Sequence, residues 1–183
     1  MNGFTTEDAR QILSDSRLFT RITVVDRNLV SGILDNICRI DLHIIQGFPI
    51  VNGLYASTVG WMRMSIPQTC TSPDEGVIAN WLADRVTCLV QQARSRMIEL
   101  MIETVLDQIC FDHHWETLMP ADGLGYLLQP VSQPQVKPIR ILPASDGSIL
   151  IIDGQHHQTV PAGERILPDG KLLNTVLCEW VKD

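Results

Sequence analysis

The stretch LVSGILDNIC, residues 29–38, decides how the first half of the chain is read. Its apolar residues Leu29, Val30, Ile33, Leu34, Ile37 and Cys38 recur at i, i+1, i+4, i+5, i+8 and i+9. That spacing gathers them on one face of a helix. Asp26 stands where an N-cap belongs, so a helix is expected after it. Upstream, Thr5 or Thr6 can cap a first helix running to about Leu18, with Glu7 and Asp8 at its positive end. Arg21–Val25 between the two reads as a short extended segment.

Downstream, Gly47, Pro49, Asn52-Gly53 and Gly60 break any long helix. Asn52-Gly53 separates the apolar stretches FPIV and LYASTV. That dipeptide favours a tight hairpin turn, so two short strands are expected near 42–51 and 54–66. The strongest local signal follows. Ser72-Pro73-Asp74-Glu75 places Ser at the N-cap, Pro at N1 and Glu at N3. Ile78, Leu82, Val86, Leu89, Val90, Ala93, Met97, Leu100, Met101, Val105 and Ile109 then keep a 3–4 spacing, and no Gly or Pro interrupts residues 77–119. A helix over about 73–117 is expected, and some 40 residues would measure about 60 Å. That exceeds what a compact domain of this length needs, and points to a bend, a break or packing along another chain.

Residues 120–183 hold seven of the ten prolines, and four Asp-Gly pairs: Asp122-Gly123, Asp146-Gly147, Asp153-Gly154 and Asp169-Gly170. Short apolar runs lie between them, as hairpins require. Leu118-Met119-Pro120, Ile141-Leu142-Pro143 and Ile166-Leu167-Pro168 each precede an Asp-Gly turn and a second apolar run, which suggests a threefold hairpin repeat. The expected fold class is α+β: a helical N-terminal two thirds with the long helix, and a small β-hairpin-rich C-terminal region. In domain terms, residues 1–119 are mainly helical with a short hairpin near 42–66. Residues 120–183 form a β-rich Pro/Asp-Gly region that can belong to the same domain.

Composition narrows the function classes. The chain has 183 residues, enough to bury a core without a disulfide or metal. Its net charge is −7 and its cations are scattered singly, so no nucleic-acid or anionic-membrane partner is expected. Charged residues make up 19% of it, a low share that suits a surface partly covered by a partner. Five widely spaced cysteines without a CxxC fit reduced thiols in the cytoplasm, or in a particle packaged from it. MNGFTTEDAR lacks the basic and apolar regions of a signal peptide, and no stretch reaches the length of a spanning helix.

The chemistry-bearing stretch is FDHHWETLMP, residues 111–120. A metal reading uses Asp112, His113, His114 and Glu116. Adjacent helical residues point about 100° apart, so His113 and His114 cannot easily share one ion. Asp112 with Glu116, or His113 with Glu116, has usable spacing. His156-His157, in a hairpin, offers one further ligand, because neighbours on a strand face opposite sides. The candidate set is therefore His113, Glu116 and His157. The simpler reading makes the histidines the polar exit of a helix, complementing its negative end. Cys110, three residues from His113, continues the apolar stripe and reads as a structural thiol. Trp61, Trp81, Trp115 and Trp180 read as core or interface anchors. Phosphate-binding loops and nucleophile elbows are absent from the sequence.

The expectation is a non-catalytic structural or assembly subunit that forms homo-oligomers, contacts other protein subunits and carries no cofactor. In organisation it resembles small assembly proteins of large particles, such as phage neck, tail or baseplate components. Two alternatives stand beside it. One is a metal-dependent or acid–base enzyme in which residues 111–116 meet His43 or His156/His157. The other is a cytosolic secretion chaperone or adaptor.

Overall fold

The computed structural model describes residues 3–133, 135–163 and 167–181. The chain divides into two units, Met1–Arg96 and Met97–Asp183. The first opens with helix α1, Thr6–Asp15, whose N-cap is Thr5. Thr5 Oγ1 accepts from the Asp8 amide, and the Asp8 carboxylate accepts from the Thr5 amide, a reciprocal capping box. Six strands follow: β1 Arg21–Asp26, β2 Leu29–Leu34, β3 Cys38–Ile45, β4 Phe48–Ser57, β5 Gly60–Arg63 and β6 Gln68–Thr69. They form one antiparallel sheet in the order β1-β2-β3-β4-β5, with β6 also paired to β4.

The expected helical N-terminal two thirds is therefore wrong: between α1 and the long helix the chain is sheet. LVSGILDNIC is strand β2, a turn at Asp35–Ile37 and the start of β3. Asp26 caps no helix. Its carboxylate accepts the Asn28 amide at 2.7 Å, an Asx turn closing the β1–β2 hairpin. The paired apolar residues mislead because β2 carries apolar side chains on both of its faces. Val30, Leu34, Cys38, Ile40 and Leu42 are buried on one face, while Leu29 and Ile33 are half-buried on the other. Apolar residues on both faces of a strand produce doublets, which mimic helical periodicity.

The expected Asn52-Gly53 turn is also displaced. These residues lie inside β4, opposite Asp41 and Ile40. The β3–β4 turn is Gln46-Gly47, where φ values of 53° and 80° suit a two-residue hairpin. Gly53 answers a different need. A Cβ there would stand 2.6 Å from Met64 Cε and 2.8 Å from Leu89 Cδ2, so glycine lets the long helix approach the sheet.

That helix, α2, spans Glu75–His113, close to expectation. Its start is two residues later than Ser72 implied. Asp74 Oδ1 accepts from the amides of Gly76 at 2.8 Å and Val77 at 3.0 Å, which makes Asp74 the capping side chain. In the first unit α2 buries Ile78, Leu82, Val86, Leu89, Val90 and Ala93. In the second it buries Ile98, Ile102, Leu106 and Ile109, one position on from the expected Met97 and Met101.

The second unit carries β7 Trp115–Leu118, β8 Tyr126–Pro130, β9 Ile139–Pro143, β10 Ile149–Asp153 and β11 His156–Val160. They form a sequential antiparallel meander. Its inner face buries Leu128, Ile139, Ile141, Ile149, Ile151 and Val160 against α2 and against α3, Gly170–Trp180. Three of the Asp-Gly pairs fall in turns as expected, with Gly123, Gly147 and Gly154 at positive φ. The fourth does not. Asp169 is the N-cap of α3, its carboxylate accepting from the Lys171 amide at 2.8 Å. Leu173, Val176 and Leu177 then keep helical spacing in the core. The supposed third hairpin is thus a helix start, and its opening residue Ile166 lies outside the described residues.

Candidate functional site

The second unit contains a cavity of about 470 Å³ at one end of its sheet. His113, His114 and Trp115 of FDHHWE reach this cavity because α2 ends there. His113 is the last helical residue, and His114 turns the chain into β7 with φ of 57°. A left-handed residue just past the helix end is the usual way to stop one. The His114 carbonyl then accepts the Val131 amide at 3.1 Å, tying the exit to the end of β8.

His113, His114 and Trp115 line one side, and the β8–β9 connection supplies Gln133 and Lys137. Asp153, at the end of β10, and Trp180, in the last turn of α3, complete the wall. Two helix C-termini therefore border the cavity. Each carries a partial negative charge from carbonyls without helical donors. Asp153 adds a full one. Lys137 is a cation of the lining, and its Nζ lies 3.4 Å from where a Cβ on Gly154 would sit. Trp180 is held by a 3.0 Å hydrogen bond from its Nε1 to Gln158 Oε1. The cavity thus pairs indole surface with charged side chains of both signs. It can hold a small group bearing both apolar and polar faces.

The three metal candidates do not meet. His113 is at the cavity on the inner side of the sheet. Glu116 lies on edge strand β7, facing outward, and accepts from Gln129 Nε2 at 2.7 Å. His157 lies on β11, the opposite edge, and pairs with Ile152. Four strand steps, about 19 Å, separate those edges. Among the described residues no three His, Cys, Asp or Glu side chains group as a metal site. His43 is an exposed residue of β3 in the first unit.

The sequence missed two members. Asp153 looked like turn chemistry, yet its carboxylate also reaches His156 Nδ1 at 3.4 Å. Trp180 lies in a helix that was not expected. The Cys110 sulfur contacts Thr117 Oγ1 at 3.4 Å and is half-buried beside the core, as a structural thiol would be. No helix among the described residues is long and apolar enough to cross a membrane.

The class that fold and site define is an α+β chain of two helix–meander–helix units, the second with a small amphipathic cavity. No family model matches the chain, and no curated protein or solved structure matches it either.

Proposed function

We propose that this chain is a non-catalytic assembly subunit that works by protein–protein contact, first of all with copies of itself. One observation carries the reading, the outer face of the second unit's sheet. Pairing registers place Leu118, Leu127, Arg140 and Ile152 in one row across β7–β10, with Leu142 and Leu150 paired beside it. All five aliphatic side chains are half-buried or exposed.

An antiparallel sheet packed on one side normally turns polar residues outward on the other. In this unit both helices lie on the inner face, and the outer face sets these five aliphatic side chains around one arginine, with Glu116 and Gln129 at one border and His157 and Thr159 of β11 at the other. A contiguous surface of that kind marks an interaction site. One terminal nitrogen of Arg140 is matched within the chain: it forms an ion pair with Asp122 and donates to the Leu124 carbonyl at 3.2 Å, while Nε has no partner among the described residues. Its hydrogen bond holds the Asp122 carboxyl below the usual carboxylate range. An ion pair within the chain lowers the cost of carrying this cation into an interface. Two copies facing each other through this surface would form a closed, isologous pair.

Native mass spectrometry of the wild-type protein and of Leu127→Glu/Leu150→Glu tests the reading. A discrete wild-type oligomer that loses subunits in the variant, with unchanged circular dichroism, is the expected result. A wild-type monomer throughout the micromolar range would overturn it.

A further inference from the structure

The first unit's sheet also has an outer face, and its chemistry is different. Strand registers align Arg21 with Ile33, Ile33 with Arg39, Arg39 with Leu54 and Leu54 with Arg63. The result is one unbroken row, Arg21–Ile33–Arg39–Leu54–Arg63, across β1 to β5. Three cations far apart in the sequence come to alternate strands, with an aliphatic side chain between each pair. Arg21 and Arg63 are exposed, and Arg39, Ile33 and Leu54 are half-buried.

The neighbouring row, Thr23–Ser31–Asp41–Asn52, stiffens the centre. Asp41 is buried, and its Oδ1 accepts from Ser31 Oγ at 2.5 Å and from Arg39 Nε at 2.8 Å. Holding Arg39 by Nε fixes the stem of the guanidinium and leaves its terminal nitrogens for a further acceptor. Asp41 is the one carboxylate among the nine side chains of these two rows. In a chain of net charge −7, this is a local cationic surface.

We propose that this row is a docking surface for an acidic amphipathic helix of a partner protein. The inference rests on the protein-binding reading above but uses a different surface. Strands lie about 4.8 Å apart, so successive arginines stand about 10 Å apart with an aliphatic contact midway. A helix rises 1.5 Å per residue. Laid across the strands, it would present acidic residues at about i, i+7 and i+14 and apolar ones at about i+3 or i+4 and i+10 or i+11, all on one face. An extended peptide repeats its side chains on one face about every 6.6 Å, which falls out of step with the row. A phosphate backbone has nothing to place against Ile33 and Leu54.

The probe is a fluorescently labelled, 18-residue alanine-based peptide with Glu at i, i+7 and i+14 and Leu at i+4 and i+11. Its anisotropy is titrated with the full chain, beside a peptide of equal composition and scrambled order. Saturable binding of the patterned peptide is expected, weakened at least tenfold by Arg21→Glu/Arg63→Glu and by Arg39→Gln. Both Arg21 and Arg63 are exposed, so the double variant tests the charge with little risk to the fold, and circular dichroism checks it. Equal binding of the scrambled peptide, or binding unmoved by the charge reversals, would overturn the proposal. So would tighter binding of a single-stranded oligonucleotide, or a change in subunit number in Arg21→Glu/Arg63→Glu, which would assign the row to a second copy. Failure here with an intact oligomer leaves the second unit's apolar face untouched, and a monomer that binds the peptide separates the two the other way.

Discussion

Gly53 shows how a single residue carries two meanings. In sequence it completes Asn-Gly, a turn signal. In the fold it is the point where Leu89 and Met64 close on the sheet. Gly53→Ala places a methyl 2.8 Å from Leu89 Cδ2, in a side chain only 1% exposed. Met64 Cε, at 2.6 Å, is the end of a flexible chain and can swing aside, but a buried leucine has little room to do so. The substitution should cost about 1–3 kcal/mol, read from urea unfolding midpoints. A variant as stable as wild type would mean that the helix does not press on β4 there. Cys38 behaves differently. Burial pushes its thiol up to about 12 from an ordinary 9.0, with Arg94 pulling slightly the other way. The folded chain therefore keeps a proton that the unfolded chain loses. That contribution to stability is complete below about pH 9 and falls as pH rises toward 12. The alkaline decline in unfolding free energy should be shallower in Cys38→Ala than in wild type. Equal slopes would show that this thiol does not contribute. Its burial was legible from residue type, whereas the contact at Gly53 was not, because nothing local says what crosses a strand.

At the scale of elements, the long helix was legible and the first sheet was not. Residues 77–119 offer no Gly or Pro and a sustained 3–4 spacing, which no strand can use. LVSGILDNIC offers doublets, which fit a helix face or a strand with apolar residues on both sides. Ser31 and Gly32 tip the balance. Gly32 lies under the ring of Phe19, where a Cβ would meet ring carbons at 3.0 Å, and Ser31 bonds Asp41 across the sheet. Both reasons are tertiary. Caps failed in the same way, by a small local margin. Ser72, Asp74 and Asp169 are all good capping types, and only the hydrogen bonds sort them. Asp74→Ala should cost about 1 kcal/mol, because two orphan amides lose their acceptor. Ser72→Ala should stay within about 0.5 kcal/mol, since its hydroxyl meets only the Asp74 amide at 3.2 Å. Paired urea titrations decide it. The reverse ranking would return the helix start to Ser72.

For the whole molecule, the two units share one plan: a helix, a sequential antiparallel meander and a helix, with α2 serving as the last helix of one and the first of the other. The likeness extends to a detail. The central strand of each meander carries an outward arginine, Arg39 or Arg140, with an Ile and a Leu as its cross-strand neighbours. Each arginine is met by a carboxylate of its own unit, Asp41 or Asp122. No fixed-period repeat announces this, because the strands and turns differ in length between units. The visible Pro-Asp-Gly repeat is turn chemistry that crosses the plan rather than following it. What the plan does imply is autonomy. The second unit's inner face buries its aliphatic residues from β8 to β11 against its own stretch of α2 and against α3. A domain with its own core can fold alone. A fragment of residues 95–183, beginning at Ser95 so that its hydroxyl can cap the shortened helix, should show mixed helix and strand by circular dichroism and one cooperative urea transition. It should also keep the oligomer proposed for the full chain, since the aliphatic patch of the outer face belongs wholly to it. A disordered fragment would mean that the second core depends on the first unit. A folded but monomeric fragment would move the self-association surface to residues 1–94 and remove the role proposed for Leu127 and Leu150.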